Sequence, residues 1–264
     1  MGVADQRLEG AAGAVLHRVA HRGYSAVAPE NTLPALAAGV LAGATFIEFD
    51  VRTSADGVPV VIHDRTVDRT TNGTGFVWEL TAAELTALDA GSWFSPAYAG
   101  TPVPTLAQAL DLLHPSMAGP DGAVELLLEI KPPASLEQVR AILDLVAERD
   151  LSARTVVQSF DKEVVRRAGE AAPDVRRGLL REPFDPDQVT VAKELGAVFC
   201  NPSVADVIAE PGTVAALADV GVAVMPWTAN DPADWAVLVA VGIAGLITDR
   251  VGELTGWAAG TFQG

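Results

Sequence analysis

FIEFDVRTSADGVPVVIHD, residues 46–64, is the stretch on which the fold and the chemistry of this chain turn. Its first half is an apolar strand pattern carrying Glu48 and Asp50 at alternate positions, so the two-residue period of a strand puts both carboxylates on one face. After the turn-forming SADG comes a second apolar run, VPVVIH, ending in His63 and Asp64. Carboxylates on a buried strand cost desolvation energy unless they are partnered. Either both face outward and ion-pair with surrounding helices, or both point inward as ligands of a hard cation. Glu129, near the end of the apolar run VELLLEI (124–130), offers a third oxygen donor for the inward arrangement. Mutual repulsion of three like charges favours a cation between them. An all-carboxylate donor set selects one divalent ion, Mg²⁺ or Ca²⁺, rather than zinc.

Similar apolar runs recur along the chain. They are AVLHRVAH (14–21), TFIEFDV (45–51), VELLLEI, RTVVQSF (154–160), VRRGLL (175–180), AVFC (197–200), VAVMPW (222–227) and GLITD (245–249). Stretches with helical spacing lie between them, near 32–42, 105–113, 135–149, 161–171, 186–195, 204–219 and 231–241. Ser135 with Gln138 forms a capping box, and Asp161 is a second N-cap. Eight strands alternating with helices in 264 residues is the count of an α/β fold of the TIM (β/α)8 type. A doubly wound sheet would place a Gly-rich turn after its first strand, and HRGYSAVAPEN has no such pattern. The expectation is one domain over residues 14–255. A small insertion follows the second strand at about 64–104, rich in Thr, Gly, Trp and Pro, with a short helix at 81–88.

A barrel of this kind gathers its site at the C-terminal ends of its strands. Those ends carry His21, Arg22, Glu48, Asp50, Glu129, Lys131, Gln158, Ser159, Trp227 and Asp249. His21 and His63 each end an apolar run, and a histidine pair can divide acid and base work near neutral pH. His17, deeper on the first strand, and His114, closing a helix just before Pro115, read as structural. Arg22 offers a donor fork suited to a phosphoryl group and Lys131 a point charge. Asp64 either orients His63 or organises its turn. Trp227 is either an aromatic wall of the site or barrel filling. Cys200 reads as a small buried hydrophobe. Trp78, Trp93, Trp235 and Trp257 take no assignment. A hard cation, two histidines and two basic groups together fit metal-assisted cleavage of a phosphodiester.

Composition narrows the partners. With 18 Lys and Arg against 34 Asp and Glu, the formal net charge is -16, which argues against nucleic acid, whose backbone needs a basic patch. One cysteine excludes an internal disulfide and a cysteine-rich zinc site. The first residues contain charges and no long apolar stretch, so they do not read as a leader. No run reaches the length of a transmembrane helix, so no stable membrane insertion is expected. A cytoplasmic location follows as the expectation, and the oligomeric state stays open.

The segments AHRGYSAVAPENTLPAL, IEFDVRTSADGVPVVIHDRTVDRTTNGTG, LLLEIK, QSFD, WTAN and ITD stand in the order found in glycerophosphodiester phosphodiesterases, and the chain resembles that family from about residue 20 to 249. The resemblance implies a TIM-like barrel with an insertion after the second strand. The implied activity is hydrolysis of a glycerophosphodiester to sn-glycerol 3-phosphate and an alcohol. It implies His21 and His63 as catalytic acid and base, and Glu48, Asp50 and Glu129 as metal ligands. Arg22 and Lys131 would contact phosphate, with Glu30 and Asn31 supporting the site. In the family's usual mechanism the substrate's own glycerol hydroxyl attacks, giving a cyclic phosphate that water opens. The chain departs from the family pattern at ITDRVGE, which lacks the usual proline, so the last loop is expected to sit differently. Two alternatives remain: phospholipase D-like cleavage of lysophospholipid or sphingomyelin, and a non-enzymatic phosphodiester-binding protein.

Overall fold

In a computed structural model, which describes residues 16–117, 124–184 and 187–262, short buried strands alternate with amphipathic helices around a closed ring. The start of the 14–21 strand candidate, Pro186 at the head of the 186–195 helix candidate, and most of the N-terminal stretch lie outside the described residues. The elements in order are β1 (His17–Ala20), α1 (Leu33–Leu41), β2 (Phe46–Thr53), β3 (Pro59–Val61), α2 (Ala82–Thr86) and α3 (Leu106–Met117). β4 (Glu125–Ile130), α4 (Leu136–Ala147), β5 (Thr155–Ser159), α5 (Lys162–Ala171), β6 (Arg176–Arg181) and α6 (Gln188–Glu194) follow. The chain continues with β7 (Phe199–Pro202), α7 (Val204–Ala209), α8 (Gly212–Ala218), β8 (Ala223–Val224), α9 (Pro232–Ala240), β9 (Gly245–Thr248) and α10 (Val251–Phe262).

The parallel strands run in the order β8-β7-β6-β5-β4-β2-β1-β9. The ring is completed between β8 and β9, where Ala244 N–H donates to the Val224 carbonyl at 2.8 Å and Ile247 N–H to the Pro226 carbonyl at 3.0 Å. This is the expected (β/α)8 barrel. The strands are buried on both faces, against the interior on one side and the helices on the other, which is why they read as continuous apolar runs. β3 is antiparallel and lies off the ring, pairing with β2, Val51 opposite Val61, and bridging from Val60 to Thr105. It opens the excursion that carries α2, and Val60, Ile62, Val67, Val77, Leu85, Ala90 and Val103 give that excursion its own small core.

Several boundaries differ from the sequence reading for identifiable reasons. The 204–219 helix is two helices, because Pro211 disfavours helical geometry at Glu210, whose φ is -130° and ψ 60°. The 222–227 strand shrinks to β8: Pro226 has no N–H to give, and Met225 N–H goes to the Asn201 side chain at 3.3 Å. The AVFC strand moves two residues on, to β7, carrying Asn201 into the ring. α3 continues through His114 and Pro115 to Met117 rather than ending there. α10 was not expected at all, since Gly252, Gly256 and Gly260 lower its intrinsic helix propensity. Gly252 is needed where it stands, because a Cβ there would lie 2.7 Å from the Tyr24 hydroxyl. Among the described residues no helix is long and apolar enough to cross a membrane.

Candidate active site

Inward-facing positions climb the strands in steps of two. Val19, Phe46, Leu127, Val156, Phe199, Met225 and Ile247 pack in the middle of the barrel. His17 lies below them, its ring edge-on to Phe46 at 5.0 Å. Two residues above that layer come His21, Glu48, Glu129, Gln158, Asn201, Trp227 and Asp249, and Asp50 and Lys131 follow another step on. An apolar plug thus closes the barrel beneath a polar mouth.

Asp50 and Glu129 stand opposite each other in the β2–β4 ladder. Oxygens of Glu48, Asp50 and Glu129 all lie within 4.8 Å of one another, and all three residues are buried. Burial pushes the Glu48 carboxyl well above its usual range, and the Asp50 and Glu129 charges push it further. Glu129 is raised by burial and by Asp50, with Lys131 opposing. Burial also works against the Asp50 charge, but Lys131, Arg22, His63 and the Asn31 amide together hold that carboxyl far below the usual range. Lys131 Nζ reaches Asp50 Oδ1 at 3.0 Å and Glu129 Oε1 at 2.6 Å. Asn31 clasps Asp50 twice, its amide donating to Oδ2 at 2.7 Å and its carbonyl accepting the Asp50 N–H at 3.1 Å. The donor set, oxygen-only and convergent in a buried place, fits a hard divalent cation. Among the described residues no other group of three such ligands converges.

The turn after β1 is built to reach this cluster. Arg22 and Asn31 hold left-handed φ values of 55° and 59°, uncommon for residues with a Cβ. In that conformation Arg22 N–H donates to Glu48 Oε2 at 2.8 Å, while its guanidinium donates to Glu30 Oε1 at 2.7 Å and lies 3.6 Å from Asp50 Oδ2. Gly23, at φ 78°, passes so close to Ala35 that a side chain would strike its backbone.

Each histidine is held by a carboxylate at Nδ1. His21 Nδ1 lies 2.6 Å from Asp249 Oδ1, and His63 Nδ1 lies 2.6 Å from Asp64 Oδ1. An ionised carboxylate only accepts, so Nδ1 carries the proton and Nε2 is left for a reacting group. Burial pushes Asp249 up, but hydrogen bonds from His21, Asn230 and Ser25 outweigh it and hold the carboxyl at about 2. For Asp64 the bond from Arg69 is the strongest influence, and its carboxyl also stands at about 2. Burial lowers the His63 pKa, with Lys131 and Arg22 adding to the effect against Asp50 and Asp64.

An open cavity of about 440 Å³ lies on the His21 side, lined by Arg22, Ser25, Ala26, Glu30, Asn230, Asp249 and Arg250. Val251, the first residue of α10, stands where the proline is absent, and the guanidinium of Arg250 before it reaches Glu253 at 2.8 Å. Trp227 is engaged with its neighbours, edge-on to Phe160 at 5.5 Å and donating its N–H to the Asn201 carbonyl at 2.9 Å. Cys200 is buried in the layer between barrel and helices, which pushes its thiol up to about 12.

Sequence reasoning placed Asp249 among the strand ends of the site without giving it a role, and gave none to Ser25, Asn230 or Arg69. The role of Asp249 could have been found: closing the barrel makes β9 the neighbour of β1, which sets the ends of those strands, Asp249 and His21, side by side.

A barrel with an acidic mouth able to hold a cation, flanked by two histidines, has an arrangement suited to the hydrolysis of phosphoric esters. Residues 21–253 match the model of the glycerophosphoryl diester phosphodiesterase family. The glycerophosphodiester phosphodiesterase of Caldanaerobacter subterraneus subsp. tengcongensis is 33% identical over 235 residues, covering 88% of this chain and 93% of its own. The crystal structure of glycerophosphodiester phosphodiesterase from Agrobacterium tumefaciens is 31% identical with a TM-score of 0.79, covering 92% of this chain and 100% of that one. An Oleispira antarctica phosphodiesterase, solved with its product sn-glycerol-3-phosphate, matches at a TM-score of 0.85 and 27% identity over 93% of this chain and 97% of that one. The chain belongs to the glycerophosphoryl diester phosphodiesterase family and is a phosphodiesterase.

Proposed function

We propose that this enzyme hydrolyses glycerophosphodiesters to sn-glycerol 3-phosphate and an alcohol, using one divalent cation, Mg²⁺ or Ca²⁺, with His21 and His63 as general acid and base. The observation that carries the reading is the buried Glu48, Asp50 and Glu129 cluster, whose raised Glu48 and Glu129 carboxyls mark charge that a cation would neutralise. The substrate is a small glycerophosphodiester. The catalytic unit is taken as one domain, residues 14–255, with the insertion at about 64–104.

A cation on these carboxylates supplies Lewis-acid stabilisation of charge on the phosphoryl oxygens. The chain's own groups supply the rest. Arg22 and Lys131 hold the phosphoryl group against the carboxylates, and Glu30 and Asn31 keep Arg22 and Asp50 in place. One histidine takes the proton of the glycerol hydroxyl at Nε2 as that oxygen forms its bond to phosphorus. The other enters the step as the imidazolium, protonated on both nitrogens, and gives its Nε2 proton to the departing alcohol oxygen as the P–O bond breaks. Water then opens the cyclic phosphate by the same transfers in reverse. Asp249 and Asp64 fix the rings and stabilise each imidazolium as it forms. A tethered nucleophile avoids the entropy cost of a bimolecular encounter. Trp227 and Phe160 form an aromatic wall for the glycerol.

Phospholipase D-like cleavage of a lysophospholipid or sphingomyelin is the alternative substrate class. A binding protein without activity would have no use for two histidines each held at Nδ1. The test compares glycerophosphocholine with an analogue lacking the hydroxyl next to the phosphoester. Release of alcohol from the first alone supports the reading, and equal turnover of both contradicts the internal nucleophile.

A further inference from the structure

Arg69 lies in the excursion a few residues beyond His63 and Asp64, and its guanidinium is shared between two carboxylates. Nε donates to Asp64 Oδ2 at 2.6 Å and Nη2 to Asp64 Oδ1 at 3.1 Å. On its other edge Nη1 donates to Glu30 Oε2 at 2.8 Å and Nη2 to Glu30 Oε1 at 2.7 Å. Both pairs are bidentate, a geometry that a planar fork permits and an ammonium does not. Neither carboxylate is idle: Asp64 holds His63 at Nδ1, and Glu30 accepts from Arg22. The result is a continuous chain of hydrogen bonds, His63–Asp64–Arg69–Glu30–Arg22, in which Arg69 is the middle link.

Its worth to stability is small, because the side chain is 45% exposed and exposed ion pairs contribute little. Its geometric effect is larger. Asp64 Oδ1 and Glu30 Oε1 share one nitrogen, Nη2. Without the guanidinium two like charges would be left side by side and would move apart. They would carry His63 and Arg22 with them.

We propose that Arg69 is a positioning residue, which fixes the spacing of His63 and Arg22 through Asp64 and Glu30 and so couples proton transfer to phosphoryl binding. The proposal rests on the roles given above to His63 and Arg22.

The test is steady-state kinetics of Arg69→Gln, Arg69→Lys and His63→Ala on glycerophosphocholine across pH, with thermal melts of each. Arg69→Gln is expected to fold normally and to lose about tenfold or more in kcat, the scale at which outer hydrogen-bond partners of a working group act. The limb of the pH profile that His63 sets should move to higher pH, because an uncompensated Asp64 charge stabilises the imidazolium. Arg69→Lys should restore that limb through its charge but recover only part of kcat. Wild-type kcat and pH profile in Arg69→Gln would overturn the proposal while leaving the catalytic reading intact. A kcat loss tracking a lowered melting temperature, with the limb unmoved, would overturn it too. Full activity in His63→Ala would overturn both.

Discussion

Asp50 and Glu129 face each other across neighbouring parallel strands, and the single ammonium of Lys131 reaches both, at 3.0 and 2.6 Å. One buried cation therefore keeps two buried carboxylates tolerable, with Glu48 beside them. Removing it leaves like charges unpaired, and breaking a buried pair in this way costs about 3–5 kcal/mol. Lys131→Met should lower the melting temperature of the EDTA-treated protein, and added Mg²⁺ or Ca²⁺ should recover more of it than the same ion adds to wild type. Equal cation-induced shifts in the two proteins would contradict the shared pairing.

Glu48→Gln separates the stability of the site from its affinity. The carboxyl is raised because burial and its two neighbours oppose its charge, so a neutral amide should leave the cation-free fold as stable as wild type or more so. The same change removes a charged ligand, and cation affinity should fall by roughly 100-fold or more, beyond the 10–100-fold typical of outer-shell partners. Calorimetric titration alongside thermal melts in EDTA checks both, and an unchanged titration would remove Glu48 from the ligand set.

Asp249 bears on rate and on acid stability. Asp249→Asn loses the acceptor that keeps the proton on Nδ1 of His21, and by analogy with hydrolase triads kcat should drop by about 10²–10⁴-fold. The sign of the pH effect follows from its lowered carboxyl. Its contribution to stability is complete above the ordinary value of 3.8 and is lost as pH falls through about 2. Wild type should therefore lose stability over that window more steeply than Asp249→Asn, as followed by acid unfolding.

Gly23→Ala tests the backbone of the β1 turn rather than its side chains. With φ at 78° and Ala35 against it, a methyl group has neither an allowed conformation nor room. Thermal melts should show a loss of about 1–3 kcal/mol or more, with activity falling further because the turn carries Arg22 to Glu48. A wild-type melting temperature would contradict this packing.

Much of this was legible because a strand's period is short and fixed. Alternation alone put Glu48 and Asp50 on one face, and an apolar run of ordinary length put Glu129 at the next strand's end. Leaving β3 off the ring is what makes β4 the neighbour of β2 and sets Glu129 opposite Asp50. The bracing of the histidines was less legible. Asp249 meets His21 only when the barrel closes, from 228 residues away. Arg69 meets Glu30 across 39 residues, through an irregular loop whose path no periodicity encodes. Helix and strand ends failed where a local rule won, as at Pro211 and Pro226, or where tertiary contact overrode propensity, as at Gly252 in α10.

The most direct test of the central claim is release of sn-glycerol 3-phosphate from glycerophosphocholine by the purified protein, in EDTA and after Mg²⁺ or Ca²⁺ is restored, with His21→Ala alongside. The predicted result is turnover abolished by EDTA, regained with the cation, and reduced by about 10²-fold or more in His21→Ala whatever cation is present. Turnover that survives both EDTA and the loss of His21 would contradict the account.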